Sequence, residues 1–383
     1  MPVDRLLPSD EARELIQLTR EIADKVLDPI VDHHERMETY PDGVFPTLGE
    51  AGLLSLAYPE EWGGGNQPYE VYLQVLEEIA ARWAAVAVAV SVHSLACHPL
   101  MAFGTDTQKQ TWLPEMLSGN KIGAYSLSEP QAGSDAAALQ CKAAVVDNGY
   151  RVNGAKAWIT HGGIAEFYTL FARTGEGAQG ISCFLVPKDT AGLTFGRPEE
   201  KMGLHAVPTT TAHYDDVFIP LERRIGDEGQ GLPIAFSALD SGRLGIASVA
   251  VGLAQAALDE AVAYSHQRTT FGRKIIDHQG LGFLLADAAA AVDSARATYL
   301  DAARRRDAGL PYSRHASVAK LVATDAAMKV TTDAVQVFGG AGYTRDYRVE
   351  RYMREAKIMQ IFEGTNQIQR LVIARSLLDR VTR

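Results

Sequence analysis

The spacing of apolar positions changes twice along the chain. Up to about residue 120 it is helical: Leu15, Leu18, Ile22, Val26 and Ile30 recur every three or four residues and predict one buried stripe. Gly63-Gly64-Gly65 marks a loop, and helical patterns resume at 69–81 and in the Ala/Val-rich run that follows. After Gly119-Asn120 the period shortens. Two Asn-Gly pairs, Asn148-Gly149 and Asn153-Gly154, stand between short apolar runs, a hairpin signal. "FYTLFART", "GISCFLVPKD" and "TTTAHYDDVFIP" read as further strands, rich in β-branched and aromatic residues. From Leu232 the helical period returns, over 232–266, 280–308, 312–337 and 366–381. In the last of these Ile368, Leu371, Val372 and Leu378 share one face.

Helices, then strands, then helices is not an alternating βαβ order. It predicts an α+β chain with a helical domain at 1–120, an antiparallel β domain at 121–230 and a helical bundle at 231–383. No internal repeat is visible. Trp83 to Phe103 contains no Asp, Glu, Lys or Arg and is long enough to consider as a membrane span. Its alanines, with Ser91, His93, His98 and Pro99, fit a buried helix instead.

Composition narrows the function classes. The 383 residues carry a net charge of −10 and no long basic run, which disfavours nucleic acid and anionic membrane as partners. The densest basic spot, Arg304-Arg305-Arg306, sits near a helix end before Gly309, where it complements the helix dipole. Three widely spaced cysteines, Cys97, Cys141 and Cys183, form no CxxC pair, so neither a disulfide framework nor a zinc site is expected. With no apolar signal core in MPVDRLLPSD, a reducing, cytoplasmic setting fits.

Several chemistries lack their motifs: no GxGxxG follows a strand, and Walker, GxSxG and HExxH patterns are missing. His33-His34 stands in a charged helical segment without partner ligands, so no metal is expected. "AYSLSEPQAGSD" (124–135) begins as a strand, breaks at Pro130 and offers Gly133, Ser134 and Asp135 in a loop suited to an anion or a heterocycle edge. "AWITHGG" sets Trp158, Ile159 and Thr160 at a strand end, where an indole could cover a flat cofactor. In "QRTTFGRKIIDHQ", Arg268 suits a phosphate and Phe271 an adenine face, with Gln279 nearby. "QVFGGAGYTRD" adds Gln336 and the pair Gly339-Gly340, which permits close approach of backbone to a ligand. Taken singly, each is also an ordinary turn, cap or core aromatic.

Together and in this order, with "FEGT" at 362–365, the motifs resemble the acyl-CoA dehydrogenase family of flavoproteins over nearly the whole chain. The resemblance implies an N-terminal helical domain, a middle β domain and a C-terminal four-helix bundle. It implies FAD between the last two, completed by a neighbouring subunit in a homotetramer, and an electron-transfer flavoprotein as electron acceptor. Carried over residue by residue, Tyr125, Leu127, Ser128, Trp158, Ile159 and Thr160 hold the flavin ring, and Gly133 and Ser134 line the pyrophosphate and the CoA entrance. Arg268, Phe271, Gln279, Gln336, Gly339 and Gly340 serve the phosphates and adenine across a subunit interface, and Thr365 and Gln367 close the site. Asp240 and Arg243 of "LDSGR" face the CoA portion, and Gly364 allows the tight path beside Glu363. Phe362, Gln131 and Ser128 depart from the family's more usual Tyr, Gly and Thr without removing a needed chemical group.

The resemblance also implies a reaction: a base removes the α-proton of an acyl-CoA thioester, and a hydride leaves the β-carbon for the flavin. Some relatives take the base from the helix that begins here near Leu232, at the position of Gly242, which cannot act as one. Asp240 lies on a different helical face, so Glu363 is the carboxylate at a matched position. A dry setting should raise its pKa from about 4.3 toward roughly 6 to 7. "SLSE" and the helix after Leu232 look like short-chain members, implying a straight or 2-methyl-branched acyl chain of about four to six carbons, in fatty acid or branched-chain amino acid catabolism. The other readings are a flavin oxidase, such as a nitroalkane oxidase, and a non-catalytic binding homologue.

Overall fold

Residues 3–378 are described by the computed structural model. Helix α1 (Asp10–Ile22) opens on Ser9, whose hydroxyl accepts from the Ala12 N–H at 3.1 Å. A π-helical turn (Ala23–Leu27) joins it to α2 (Asp28–Met37). Helices α3 (Val44–Glu50), α4 (Tyr69–Ala80), α5 (Ala84–Phe103) and α6 (Asp106–Leu117) follow. The buried stripe of the first two helices lies one residue away from the expected one. Ile16, Thr19, Ala23, Leu27 and Val31 are sealed, whereas Leu15, Ile22, Val26 and Ile30 are half-buried and Leu18 is 41% exposed. Small residues at 19 and 23 let the helix backbone sit close to the core, so the larger side chains pack from its edges.

The strands are β1 (Gly123–Ser126), β2 (Lys142–Val146), β3 (Gly149–Thr160), β4 (Phe167–Arg173), β5 (Ile181–Pro187), β6 (Leu193–Phe195), β7 (Thr209–Pro220) and β8 (Arg224–Ile225). They form one sheet in the order β6-β7-β3-β2-β4-β5-β8, with β1 also beside β4. Most pairings are antiparallel, but β1 runs parallel to β4 and β2 meets β4 in parallel at Lys142 and Arg173, so the expected antiparallel domain is a mixed sheet. A parallel pair needs a long connection, and the segment from Leu127 to Glu166, with β2 and β3 in it, supplies one.

Asn148-Gly149 does form the β2–β3 turn, with Asn148 at φ 61°. Asn153-Gly154 does not turn the chain. It lies inside β3 at a register shift, where a Cβ on Gly154 would come 2.7 Å from the Cys141 Cα. A second shift between Lys156 and Ile159 puts Trp158 at φ 63° and turns its indole outward, 62% exposed between buried Ala157 and Ile159.

Helix α7 (Gly231–Gln267) leads into a short ribbon, β9 (Thr269–Thr270) and β10 (Arg273–Lys274), and then α8 (Gln279–Asp307) and α9 (Ser313–Phe338). Both α5 and α7 are long and apolar enough to cross a membrane, yet most of each is buried inside the fold. Glycines let α7 lie against its neighbours: a Cβ on Gly245 would overlap Ser91 Oγ of α5, and one on Gly252 would overlap the Glu77 carbonyl of α4.

Two further helices close the chain, α10 (Val349–Met359) and α11 (Asn366–Leu378). The sequence pattern did not predict α10, because its dense charge masks a short buried face of Val349, Tyr352, Ala356 and Met359. The expected apolar face of α11 is only partly covered: Ile368 and Val372 are half-buried, Leu371 is 43% and Leu378 68% exposed, and the fully buried residues are Asn366 and Gln369. The Gln369 amide is drawn in by the Gly364 carbonyl of the turn before the helix, and the Asn366 amide by Lys320, Thr324 and Asp325 of α9. Residues 379–381 of the expected helix lie outside the described residues.

Candidate active site

Glu363 sits in the turn between α10 and α11. Glu363 (φ 50°) and Gly364 (φ 88°) are both left-handed, a conformation that costs a non-glycine residue about 1–2 kcal/mol. The turn is tied on both sides. Asn366 N–H donates to the Gln360 carbonyl at 3.0 Å, and Thr365 caps α11 by accepting from the Ile368 N–H at 3.2 Å. The Gly364 carbonyl accepts from Gln369 Nε2 at 2.8 Å and from Lys320 Nζ at 2.9 Å. The Glu363 N–H donates to nothing among the described residues.

The carboxylate points inward. Both oxygens are shut off from solvent and accept no hydrogen bond from the described residues, although the residue as a whole is half-buried. A Cβ on Gly242 would overlap Oε2 and would meet Leu95 Cδ1 at 3.1 Å, so α7, α5 and the turn converge on this point. Burial pushes the carboxyl up to about 7, with Lys320 and Arg243 pulling it back. Three phenols surround it closely enough to feel its charge: Tyr69, Tyr72 and Tyr125, all with raised pKa chiefly through burial. Tyr69 donates to the Ser241 carbonyl at 2.9 Å and Tyr125 to the Ala235 carbonyl at 3.2 Å. Arg243 is buried and donates to Asp240 Oδ1 at 2.5 Å, and its Nε is unpartnered. Asp240, raised by burial, also accepts from Ser313 Oγ at 3.0 Å.

The 124–135 loop is held by a pair that the sequence reading missed. Lys156, fully buried, donates to Glu129 Oε1 at 2.8 Å and to the Leu127 carbonyl at 2.9 Å. Glu129 also accepts from the Cys141 N–H at 2.8 Å and the Gln140 N–H at 2.6 Å. Although burial pushes it up, Lys156 and these donors hold the Glu129 carboxyl below its ordinary range. Pinned there, the loop leaves Gly133 and Ser134 exposed, with open space around Gly133. Leu127 is buried, and the Ser128 carbonyl accepts from the Ala157 N–H at 2.9 Å. Thr160 is half-buried, whereas the Ile159 side chain is sealed in the sheet core. An outward indole beside an exposed loop fits a flat heterocycle with a phosphate tail.

Arg268, Phe271, Gln279, Gln336, Gly339 and Gly340 gather at the far end of the bundle, where Tyr264 stacks on Phe338 at 4.0 Å. All six are exposed, Phe271 to 96%. The chain does not bring this group to Glu363: along α7, Gly242 to Arg268 rises about 39 Å at roughly 1.5 Å per residue. Thr365 stands half-buried at the Glu363 end and Gln367 is exposed there. No group of three metal-ligating side chains occurs among the described residues.

Three family profiles match the chain: "Acyl-CoA dehydrogenase, N-terminal domain" at 9–120, "middle domain" at 124–217 and "C-terminal domain" at 229–378. A short-chain specific acyl-CoA dehydrogenase of Clostridium acetobutylicum is 42% identical over 366 residues, 94% of this chain and 97% of that protein. The butyryl-CoA dehydrogenase of Megasphaera elsdenii superposes with a TM-score of 0.96 at 39% identity, over 98% of this chain and 100% of that one. A chain from a structure described as the electron transferring flavoprotein of Acidaminococcus fermentans also superposes with a TM-score of 0.96, at 41% identity over 98% and 100%.

Proposed function

The chain belongs to the acyl-CoA dehydrogenase family, and from that premise we propose that Glu363 is the base of its reaction. The reaction is the FAD-dependent α,β-dehydrogenation of a short-chain acyl-CoA to the trans-2-enoyl-CoA. The observation that carries the assignment is the Glu363 carboxylate, buried, unpartnered and raised to about 7. A base near neutrality with no competing hydrogen bond can take the α-proton of a thioester. The free Glu363 N–H is available as a donor to the carbonyl oxygen on which the enolate charge develops. FAD, when bound, supplies the hydride acceptor for the β-carbon.

Tyr125, Leu127, Ser128, Trp158, Ile159 and Thr160 would hold the flavin ring, Ile159 through its backbone alone. Gly133 and Ser134 would border the pyrophosphate and CoA entrance, and Asp240, Arg243 and Gly364 the substrate. The close approach of α5 and α7 at Ser91, Leu95, Gly242 and Gly245 leaves little depth behind the carboxylate, which supports a straight or 2-methyl-branched chain of about four to six carbons. The separation of Glu363 from the Arg268 group supports a cofactor site completed by a second copy, within a homotetramer of two dimers. The likeness to a chain in the Acidaminococcus fermentans structure supports an electron-transfer flavoprotein as acceptor. Three free, buried cysteines suit a reducing cytoplasm. The division at about residues 120 and 230 is part of this reading.

Anaerobic flavin bleaching with a panel of acyl-CoAs tests the function. Butyryl-CoA and 2-methylbutyryl-CoA should bleach the flavin faster than palmitoyl-CoA; the reverse order would remove the short-chain assignment. Slow reoxidation by oxygen separates a dehydrogenase from an oxidase.

A further inference from the structure

Lys320 has none of its surface exposed. It occupies a position in α9 that shares the inward face with Ala316, Ala323 and Ala327, where an alanine would pack without a desolvation cost. Its Nζ donates to the Gly364 carbonyl at 2.9 Å and to Asn366 Oδ1 at 3.0 Å. Asn366 is fixed in turn by Thr324 at 2.9 Å and Asp325 at 2.7 Å. One acceptor is in the turn that carries Glu363, the other on the first residue of α11 behind it, and both are neutral. Its charge is therefore not cancelled by a bonded carboxylate, unlike that of Arg243 beside Asp240.

We propose that Lys320 is a positioning residue for the Glu363 base: it locks the left-handed Glu363-Gly364 turn through the Gly364 carbonyl and supplies a cation that Glu363 faces. The proposal rests on Glu363 being the base. The lock matters because a two-residue left-handed turn is strained, and strain persists only where neighbours over-determine it. The cation matters because the carboxylate accepts no hydrogen bond. The other charged or titratable groups around Glu363 are Arg243 on α7, Tyr69 and Tyr72 on α4, and Tyr125 on β1. Asp240 neutralises Arg243, Arg306 of α8 lies 3.8 Å over the Tyr69 ring, and Asp325 acts on Lys320 from α9 itself. Burial lowers Lys320 to about 8, while Glu363 and Asp325 hold it up.

Removing the cation should raise the proton affinity of Glu363. A close opposite charge is worth about 1–3 pKa units, so the limb of the pH profile should move to higher pH by about one unit or more. The experiment uses FAD-loaded Lys320→Gln and Lys320→Arg with butyryl-CoA, following anaerobic flavin reduction against pH, with FAD content and melting temperature as controls. Lys320→Gln keeps a donor for the Gly364 carbonyl but removes the charge, so its limb should shift upward. Lys320→Arg should keep the wild-type limb. A Lys320→Gln limb within a few tenths of wild type overturns the electrostatic role. Failure of both variants to fold and hold FAD also overturns the proposal, because Lys320 would then be a packing residue. Glu363→Gln separates the two readings: if it stays active the base assignment fails, and if it is dead while the Lys320 variants behave as wild type, only the present inference fails.

Discussion

The Glu363 carboxylate occupies the space that a side chain on Gly242 would need: a Cβ there would overlap Oε2. In this chain the carboxylate reaches that space from the turn, and the helix leaves it free by carrying glycine there. Gly242→Ala should displace Glu363 rather than the α7 backbone, because the carboxylate is the far end of a flexible side chain. We expect FAD to be retained and flavin reduction by butyryl-CoA to fall by about tenfold or more, since small misplacements of a reacting group are costly. Stopped-flow reduction checks this; a wild-type rate would show that Glu363 has room to move and still react.

Glu363→Gln keeps the shape but removes the base. Flavin reduction should fall by at least about 100-fold while acyl-CoA still binds. The wild-type profile follows from the raised carboxyl. Protonated Glu363 cannot accept a proton, so kcat/KM should rise with pH through about 7 and then level. A profile flat from pH 5 to 8, or a Gln variant bleached at the wild-type rate, would send the search to another carboxylate.

How much of this was legible in the sequence depends on whether the signal is local. Glu363, Gly364 and Thr365 are consecutive, so turn, base and cap could be read together. Trp158 could be singled out, but not the bulge between Lys156 and Ile159 that turns it outward, because no glycine or asparagine marks that stretch. Lys320 and Gly364 are joined across 44 residues, and Lys156 and Glu129 across 27. In sequence each is a single charge, and only packing reveals that both are buried. Lys320 did carry a trace: it is a charged residue at a buried helical period. Exposed Leu371 and Leu378 defeated the amphipathic argument for α11, since polar Asn366 and Gln369 take the inward face.

Lys156→Met tests the loop. It leaves Glu129 buried with backbone donors but no cation, and breaking a buried pair costs about 3–5 kcal/mol. The melting temperature should fall by several degrees, and FAD should be lost more readily on dilution. Glu129→Gln together with Lys156→Met removes both charges and should recover part of the loss. If the single variant melts like wild type, the pair does not hold the loop.

The last prediction asks whether two copies share each site. Along α7 the Arg268 group lies about 39 Å beyond the level of Glu363, so one chain cannot close one cofactor site with both. Arg268→Ala alone should hold FAD weakly, because a charged donor to phosphate is lost. Glu363→Gln alone should hold FAD and be inactive. Co-expressed, the two variants form mixed dimers. In a mixed dimer, one site takes Glu363 from the Arg268→Ala chain and Arg268 from the Glu363→Gln chain, so it is intact. Random pairing makes about a quarter of all sites intact, and activity with butyryl-CoA should recover toward that fraction, with FAD in about half of the sites because every site with an intact Arg268 keeps it. If each site is built within one chain, no mixed dimer contains an intact site. Activity would then stay at the sum of the parents, and the shared site would be wrong.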